Sequence, residues 1–420
     1  MVRPFLVLVV GMVLAPAIAL GQQPAPVDIV EVSGPLDGRA VDFAIDAITD
    51  TDAQLVVLKL NSAGAISGDI TELLDLVADP PVPVAVWVGP DPAEAHGGAA
   101  QLLAVSAIGA AAPGVKVGYV WPTVAGDRSE PVESLMAAYP DVSAELFTER
   151  VEVTEPIEGI VDLVVPSIGQ LVTGVDGMSL DVNGEATTLQ TAVEEIDEDG
   201  VTVLRPVAET RFRSPGLLTT TLRLAVNPDV AFFFLVAGIA VAVFEFYAAG
   251  AGIMAAVAVL SLLIAGYGLI ELPMRWWALG ATLLGLGLYT ADFQRNDLGW
   301  RSLAGTVLLV TGGWWFIDAS PQISSSWWVV LLVVLFAALF FGIGMTSVVR
   351  ARYSTTTIGR EQMVGRRGTA EDDLRPEGVI VVDGARWQAR AHRAAGIAPG
   401  DEVEVVAVSG VTLEVDPVNQ

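Results

Sequence analysis

Two short turns hold the side chains that are best suited to chemistry. Asn61-Ser62-Ala63-Gly64-Ala65 follows an apolar segment, and His96-Gly97-Gly98 ends a polar, glycine-rich stretch over residues 89–98. Serine hydroxyls are potential nucleophiles and histidine is a common general base. Both turns follow predicted strands, and in an open parallel sheet ligands bind at the carboxyl ends of the strands. The sequence therefore predicts that any active site lies at these two turns.

Each of these side chains also has a simpler interpretation. Ser62 lies in a turn, where a serine hydroxyl commonly bonds the neighbouring backbone. Ser67 and Ser106 are further candidate nucleophiles, but Ser106 lies within a predicted alanine-rich helix, where we expect it to pack. His96 is either a lone general base or a residue that caps a helix start or is simply solvated.

The composition excludes several kinds of site. The chain has no cysteine, which rules out disulfides, thiolate metal sites and cysteine nucleophiles. Its two histidines, His96 and His392, are far apart in sequence, so a histidine metal cluster is not expected. An acidic cluster lacks the Asp-x-Asp-x-Asp-Gly spacing of a calcium loop, which favours a solvated loop. The cluster consists of Glu194, Glu195, Asp197, Glu198 and Asp199. We therefore expect neither a metal nor a cofactor.

The negative charge is concentrated in the first half of the chain. The net charge is −27, and residues 22–210 contain 32 acidic and 6 basic side chains. Such a surface repels the phosphates of nucleic acids. We therefore expect no nucleic-acid partner.

The elements that position the two turns alternate between strand-like and helix-like patterns. Their order, β-α-β-α-β-α-β, predicts a mostly parallel sheet covered by helices. The predicted strands are residues 27–32, 55–60, 82–88 and 115–120, and the predicted helices are residues 37–48, 70–76 and 99–111. Further along, the Asn183-Gly184 pair predicts a hairpin turn.

The ends of this first domain have patterns typical of a membrane protein. Residues 1–21 combine Arg3, a short apolar run and Ala17-Ile18-Ala19, which predicts a secretory signal peptide; the alternative is an uncleaved anchor. We assign residues 22–210 to an extracytoplasmic domain and residues 211–229 to a juxtamembrane linker.

Residues 230–349 are apolar enough to contain about five transmembrane helices. The predicted spans are residues 230–248, 252–271, 276–293, 301–318 and 327–349. Tryptophans lie near the span ends, as an interfacial belt requires. Arg295, Arg301, Arg350 and Arg352 place the C-terminus in the cytoplasm by the positive-inside rule. Glu245 lies inside the first span, where we interpret it as a helix-packing contact rather than part of a transport path.

Residues 357–420 form a separate small β-domain. Five short strands separated by glycine turns predict a barrel of the OB type. Oligonucleotide binding by such a barrel needs several exposed aromatic residues and a basic groove. Trp387 is its only aromatic residue, and acidic side chains offset its arginines. We therefore expect a protein-interaction module.

Several motifs resemble those of long-form NfeD membrane proteins, whose first domain is a ClpP-class serine protease. The turn after the second strand resembles the family's oxyanion loop, and residues 89–99 resemble its nucleophile elbow. The C-terminal motifs are the most specific. They are Val364-Gly365-Arg366-Arg367-Gly368-Thr369-Ala370, Leu374-Arg375-Pro376-Glu377-Gly378 and Gly384-Ala385-Arg386-Trp387-Gln388-Ala389. The resemblance implies a ClpP/crotonase-like α/β domain, then an all-α transmembrane bundle, then a small all-β OB-fold barrel.

The catalytic residues of that family do not carry over. The resemblance puts the nucleophilic serine at Gly97, after His96, and the two oxyanion-loop glycines at Gly64 and Ala65. Glycine has no side chain with which to attack a carbonyl. The family's general-base lysine has no counterpart either, because residues 123–150 contain no lysine.

Three functions stay open on this sequence. The first is a non-catalytic scaffold that works with a stomatin/SPFH-type membrane protein, which the resemblance implies as partner, together with self-association and contact with membrane lipid. The second is an active membrane-bound serine protease with an unrecognised nucleophile. The third, a channel or transporter, is disfavoured because charged residues are scarce within the predicted spans.

Overall fold

The computed structural model describes residues 24–182, 184–196, 202–248, 252–295, 299–348, 361–391 and 396–418. The predicted signal peptide, His392 and Asn183 lie outside these described residues. The chain divides into two compact units, Met1–Thr346 and Ser347–Gln420, which are described separately below.

A six-stranded parallel sheet forms the centre of the first unit. Its strands run in the order β13-β1-β2-β3-β5-β8. The inner strands are apolar because helices cover both faces, as a parallel sheet requires. The first elements are β1 (Val27–Ser33), α1 (Gly38–Thr49), β2 (Leu55–Asn61), α2 (Ile70–Ala78), β3 (Val84–Val88), β4 (Glu94–His96), α3 (Gly98–Val105), β5 (Ile108–Ala111) and β6 (Lys116–Gly118). The predicted α/β class is therefore confirmed.

Two predicted elements differ in the structure. The helix predicted over residues 99–111 ends at Val105, and Ile108–Ala111 is the fourth central strand. Alanine favours a helix locally, but packing overrides that preference: a Cβ added at Gly109 would lie 2.4 Å from the carbonyl oxygen of Ile160. The strand predicted over residues 115–120 is shorter, Lys116–Gly118, and belongs to a second small sheet, β4-β6-β7.

The rest of this domain has shorter elements. Two antiparallel hairpins, β9–β10 and β11–β12, follow the sheet; the first of them spans the predicted turn. The elements are α4 (Val132–Ala138), β7 (Arg150–Glu152), β8 (Leu163–Val164), α5 (Ile168–Gly174), β9 (Ser179–Val182), β10 (Glu185–Thr188), β11 (Ala192–Ile196), β12 (Thr202–Pro206) and β13 (Thr210–Arg213).

The sheet extends past residue 211, where we predicted a linker to begin. Strand β13 pairs with β1 at the edge of the sheet. The cause is the fully buried carboxylate of Asp28, which pairs with Arg211 at 2.9 Å and with Arg213 at 2.7 Å. A buried charge needs such partners, and the two arginines on β13 supply them.

In the described part of the chain, six helices follow the first domain. They are α6 (Leu217–Arg223), α7 (Pro228–Ala248), α8 (Ile253–Glu271), α9 (Trp276–Phe293), α10 (Trp300–Trp314) and α11 (Trp327–Leu339), which continues as π-helix over Phe340–Met345. Three of the described helical stretches are long and apolar enough to cross a membrane: Pro228–Ala248, Ile253–Glu271 and Trp327–Val348. With 15 residues, α10 is about 22 Å long, which is short for a bilayer core of roughly 30 Å. The count of five spans therefore stays a prediction.

Polar contacts within the helical region are structural. The Glu245 carboxylate accepts a hydrogen bond from the Gly252 N–H at 2.8 Å, between α7 and α8. Asp292, 4% exposed, accepts from the Ser302 N–H and hydroxyl and thereby caps the first turn of α10. These bonds fix the helix ends.

The second unit is a closed five-stranded barrel in the order β14-β15-β16-β18-β17. Alternating apolar residues of its strands fill the interior, among them Ile380, Val403 and Leu413. Its strands are β14 (Arg367–Ala370), β15 (Glu377–Val382), β16 (Ala385–Ala391), β17 (Glu402–Ser409) and β18 (Thr412–Pro417). The predicted small barrel is confirmed.

Candidate functional site

The structure places the two predicted turns side by side. The Ser62 N–H donates to the Glu94 carbonyl at 2.7 Å, and the His96 N–H donates to the Ser62 carbonyl at 3.2 Å. Strand β2 delivers the first turn and β4 delivers the second, so the end of the central sheet and the small sheet meet here. Together the turns form a cleft whose floor is Gly64 and Gly97.

Gly97 is the sharp junction between β4 and α3. Its backbone has φ 56° and ψ −133°, a conformation that L-residues rarely adopt. Its N–H donates to the Tyr119 carbonyl and the Gly98 N–H donates to the Thr123 carbonyl, both at 2.9 Å. The geometry is that of a strand–turn–helix elbow without a side chain at its tip.

His96 lies directly before this elbow and is fully buried. Neither ring nitrogen has a side-chain hydrogen-bond partner among the described residues; the carboxylate of Glu94 is 4.0 Å from Nδ1, and the Tyr119 ring packs edge-on with its centroid 5.4 Å away. Burial lowers the pKa of His96 to about 4, the charge of Arg150 acts in the same direction, and a hydrogen bond with the Ala63 backbone opposes them. The imidazole is therefore neutral at physiological pH, and no hydroxyl of the described part of the chain is hydrogen-bonded to it.

The three candidate serine hydroxyls are engaged locally. Ser62 Oγ bonds both the N–H and the carbonyl of Gly64, at 3.2 and 3.1 Å. Ser67 Oγ donates to Asp69 at 2.7 Å, and Ser106 Oγ donates to the Leu103 carbonyl at 3.0 Å. None of these described hydroxyls bonds a histidine or a lysine. Ser62 thus has the turn role that was its simpler interpretation. Ser106 does not lie within a helix as predicted: it is the half-buried residue that follows the last turn of α3.

The two lysines do not complete a catalytic pair. Lys59 lies within β2 and forms an ion pair with Glu31 at 2.8 Å. Lys116 begins β6 with its side chain exposed. A serine–lysine dyad needs direct hydrogen-bond contact, which neither lysine makes with Ser62, Ser67 or Ser106. Among the residues described, no group of three acidic or histidine side chains is placed to hold a metal ion.

A residue that the sequence did not single out fills the cleft. Gln322 belongs to the segment between α10 and α11, and its side chain enters the first domain with only 5% of the residue exposed. Its Nε2 donates to the carbonyls of Tyr119 at 2.9 Å and Pro122 at 2.8 Å. A Cβ added at Gly97 would lie 2.9 Å from this nitrogen. No pattern in the sequence points to Gln322, because the contact joins residues about 200 positions apart.

A polar cavity of about 400 Å³ adjoins the cleft, between the first domain and the helices. Its charged lining residues are Glu94, Arg150 and Asp229, and Gln322 forms part of its wall. Burial raises the pKa of Glu94, against the opposing charges of Arg150 and Lys116. The Arg150 guanidinium lies 6.0 Å from the centroid of the Tyr119 ring. The cavity offers both charge signs and several amides to a ligand.

Two family models match parts of the chain, and one relative matches most of it. Residues 229–346 match the family described as NfeD integral membrane domain. Residues 360–417 match the NfeD-like C-terminal, partner-binding domain. A relative from Pyrococcus horikoshii, the "Membrane-bound protease PH1510", is 24% identical over 407 residues, which cover 89% of this chain and 88% of the relative.

Two solved structures from Pyrococcus horikoshii are also similar. The 1510-N membrane protease specific for a stomatin homolog is 17% identical, with a TM-score of 0.36, and the match covers 48% of this chain and 98% of that protein. The C-terminal domain of the stomatin operon partner protein 1510-C is 40% identical, with a TM-score of 0.14, and the match covers 14% of this chain and 94% of that domain.

Proposed function

Since the chain carries an NfeD integral membrane domain and an NfeD-like C-terminal domain, as its motifs predicted, we propose that it is a non-catalytic membrane scaffold. In this proposal it works with a stomatin/SPFH-type membrane protein in membrane organisation or quality control. The first domain keeps the protease-like fold outside the cytoplasm, while the C-terminal barrel faces the cytoplasm. Self-association and contact with membrane lipid belong to the same proposal.

The main support for a non-catalytic first domain is the elbow at Gly97. A hydrolase of the ClpP class needs a nucleophile at this tip, but glycine offers none. The neighbouring His96 is buried, neutral and without a hydroxyl to deprotonate. Gln322 fills the space in which a side chain at position 97 would stand. Each of these features opposes hydrolysis at the cleft.

The support for a stomatin-type partner is less specific than the support for a non-catalytic elbow. The match of residues 360–417 is to a partner-binding domain. Four arginines of the barrel are paired with acids of the same barrel: Arg366 with Asp383, Arg375 with Asp373, Arg386 with Glu371 and Arg390 with Glu377. A surface with balanced charges suits a protein partner better than a nucleic acid.

The alternative is an active protease, which the name of the Pyrococcus relative favours. The test is fluorophosphonate labelling of the full-length protein in detergent, with that relative as positive control. We expect the relative to be labelled and this chain to stay unlabelled. Labelling of a serine that is mapped by mass spectrometry and is lost on its substitution by alanine would contradict the scaffold proposal.

A further inference from the structure

The segment between α10 and α11 is held by the first domain and by α7. The Arg128 guanidinium of the first domain donates to the Ser320 carbonyl at 2.9 Å, and the Ser326 N–H donates to Asp229 of α7 at 2.8 Å. A Cβ added at Gly126 would lie 2.3 Å from the Asp318 carbonyl oxygen, so the two backbones are in close contact. Residues 318–326 are therefore fixed on both sides of Gln322, the residue that enters the cleft.

The cleft is shaped and polarised for a primary amide. Two backbone carbonyls, those of Tyr119 and Pro122, converge on one nitrogen, and a carboxamide nitrogen has two N–H donors to satisfy them. A carboxylate would meet these carbonyls with like charge. An alkyl side chain would remove the donor that Gln322 supplies to the Pro122 carbonyl, whereas the Tyr119 carbonyl also accepts from the Gly97 N–H. Space is equally restricted, because a Cβ at Gly64 would lie 3.1 Å from Gln322 Oε1. The absence of side chains at positions 64 and 97 makes room for the amide.

The occupation of the cleft is incomplete in its hydrogen bonding. Gln322 Oε1 is buried and has no hydrogen-bond partner among the described residues. Buried polar groups without partners weaken the docked state relative to one in which water solvates them. The adjoining cavity gives a second chain segment a way to reach the same place. These features favour a segment that can leave the cleft and be replaced by another peptide, rather than one that stays permanently bound.

We propose that residues 319–326 are an intramolecular ligand of the cleft, recognised through the primary amide of Gln322. A glutamine side chain from another extended peptide segment takes the same place only when this segment has left. The proposal rests on the proposed function, in which the cleft binds without hydrolysing. On this proposal the elbow at Gly97 is specific for a carboxamide. The docked segment also connects the cleft to α10 and α11, the helices on either side of it.

The first test measures binding of a fluorescent peptide, residues 319–325 of this chain, to the full-length protein in nanodiscs. The Gln322→Ala variant empties the pocket, and we expect it to bind the peptide at least about tenfold more tightly than the wild type, whose own segment competes at high effective concentration. A peptide with Glu in place of Gln is expected to bind at least about tenfold more weakly. Adding Gly97→Ala to Gln322→Ala fills the pocket and is expected to abolish binding.

The matched control for Gly97→Ala is Gly177→Ala, because Gly177 also has a positive φ but open space around its Cβ position. Thermal unfolding establishes that each variant is folded. Equal binding of the Gln and Glu peptides, or no binding to a folded Gln322→Ala protein, would overturn the proposal. Equally tight binding of a Lys peptide would also overturn it, because the site would then recognise a cation rather than an amide.

The second test does not depend on an added peptide. Because the chain has no cysteine, Ile323→Cys introduces a single thiol at a residue that is 4% exposed in the docked segment. We expect maleimide to label this thiol at least about tenfold faster when Gln322→Ala is present as well. Ser324→Cys, at an exposed position, is expected to label rapidly in both backgrounds. Equal labelling rates of the thiol at position 323 with and without Gln322 would contradict the docking role of the amide.

The outcomes separate this inference from the proposed function. Peptide binding without cleavage supports both. Peptide binding followed by cleavage contradicts the scaffold proposal and supports amide recognition. Absence of both binding and cleavage contradicts amide recognition alone.

Discussion

Gly97 determines what the elbow can do, both through the side chain that it lacks and through the conformation that it adopts. A residue with a side chain at this position meets two obstacles. Its φ of 56° is strained for any L-residue, and its Cβ would lie 2.9 Å from both Gln322 Nε2 and the Pro122 carbonyl oxygen. We therefore expect that a serine introduced at position 97 would not by itself become a working nucleophile.

We expect Gly97→Ser to stay unreactive toward fluorophosphonate and to lower the unfolding free energy by about 1–3 kcal/mol. Thermal unfolding and probe labelling of the full-length variant measure the two effects. Gly177→Ser is the control, since its φ is 74° and its surroundings are open. Efficient labelling at position 97 in the variant would show that the cleft still activates a hydroxyl.

His96 gives the first domain a pH-dependent stability. Its pKa is about 4 in the folded chain and about 6.5 when exposed, so the unfolded chain binds more protons between these values. The unfolding free energy therefore falls as the pH falls below about 6.5, by up to about 1.4 kcal/mol per pH unit, until the folded-state pKa is passed.

His96→Gln removes this proton uptake, so we expect its stability to depend less on pH between about pH 7 and about pH 4.5. Thermal unfolding of both proteins across this range measures the difference. Glu94, whose pKa is raised, is present in both proteins, and its contribution largely cancels in the comparison. Parallel pH profiles of wild type and variant would show that His96 does not titrate in this way.

At the scale of elements, Asp37 joins three of them. It is fully buried and caps α1 through the Ala40 N–H at 3.1 Å. It also pairs with Arg223 of α6 at 3.0 Å and accepts the Tyr267 hydroxyl of α8 at 2.9 Å. The first domain is thereby fixed to the helix that precedes the bundle and to one of the apolar helices.

We expect Asp37→Ala to lower the unfolding free energy by about 3–5 kcal/mol, because Arg223 loses its buried partner. Tyr267→Phe removes only one neutral donor and is expected to lower it by about 1 kcal/mol. Asp42→Ala, an exposed position on the same helix, serves as control. Thermal unfolding in detergent measures the stability of all three variants. Equal stability of the Asp37 and Asp42 variants would show that Asp37 does not stabilise the contact between the first domain and the helices.

Helices α9 and α10 pack through glycine, as the glycine-rich sequence of these two predicted spans suggests. A Cβ at Gly285 would lie 2.9 Å from the Gly305 carbonyl oxygen, while Gly287 on the same helix has open space. In lipid, close approach of backbones replaces the hydrophobic drive to associate. We expect Gly285→Leu to destabilise the bundle by about 1–3 kcal/mol and Gly287→Leu to leave it nearly unchanged. Thermal unfolding of the two variants checks this, and equal losses would argue against the contact.

At the scale of the whole molecule, the two compact units divide the work in the proposed function. The barrel has its own closed core, so we expect removal of residues 347–420 to leave the first unit folded and in the membrane. Co-reconstitution with a stomatin/SPFH-type protein, followed by crosslinking, is expected to capture the full chain and to lose the truncated one. Equal capture of the full and truncated chains would show that the partner-binding surface lies on the first unit.

The sequence by itself determined the features that depend on local patterns. Period-two and continuous apolar runs identified the strands 27–32 and 55–60, because the strands of a buried parallel sheet are predominantly apolar. Glycine at position 97 offers no nucleophilic side chain, which is the basis of the proposed non-catalytic role. Glycine turns and short strands likewise indicated the barrel over residues 357–420.

Only the tertiary structure decided the features that depend on distant contacts. Residues 108–111 are a strand because Ile160 packs against Gly109, although alanine and glycine there gave no strand signal. Arg211 and Arg213 join the sheet next to β1, where they pair with the buried carboxylate of Asp28. Gln322 occupies the cleft because α10 and α11 present their connecting segment to a domain about 200 residues earlier in the chain. Local propensity carries no information about such long-range pairings, so they emerge only when the elements pack.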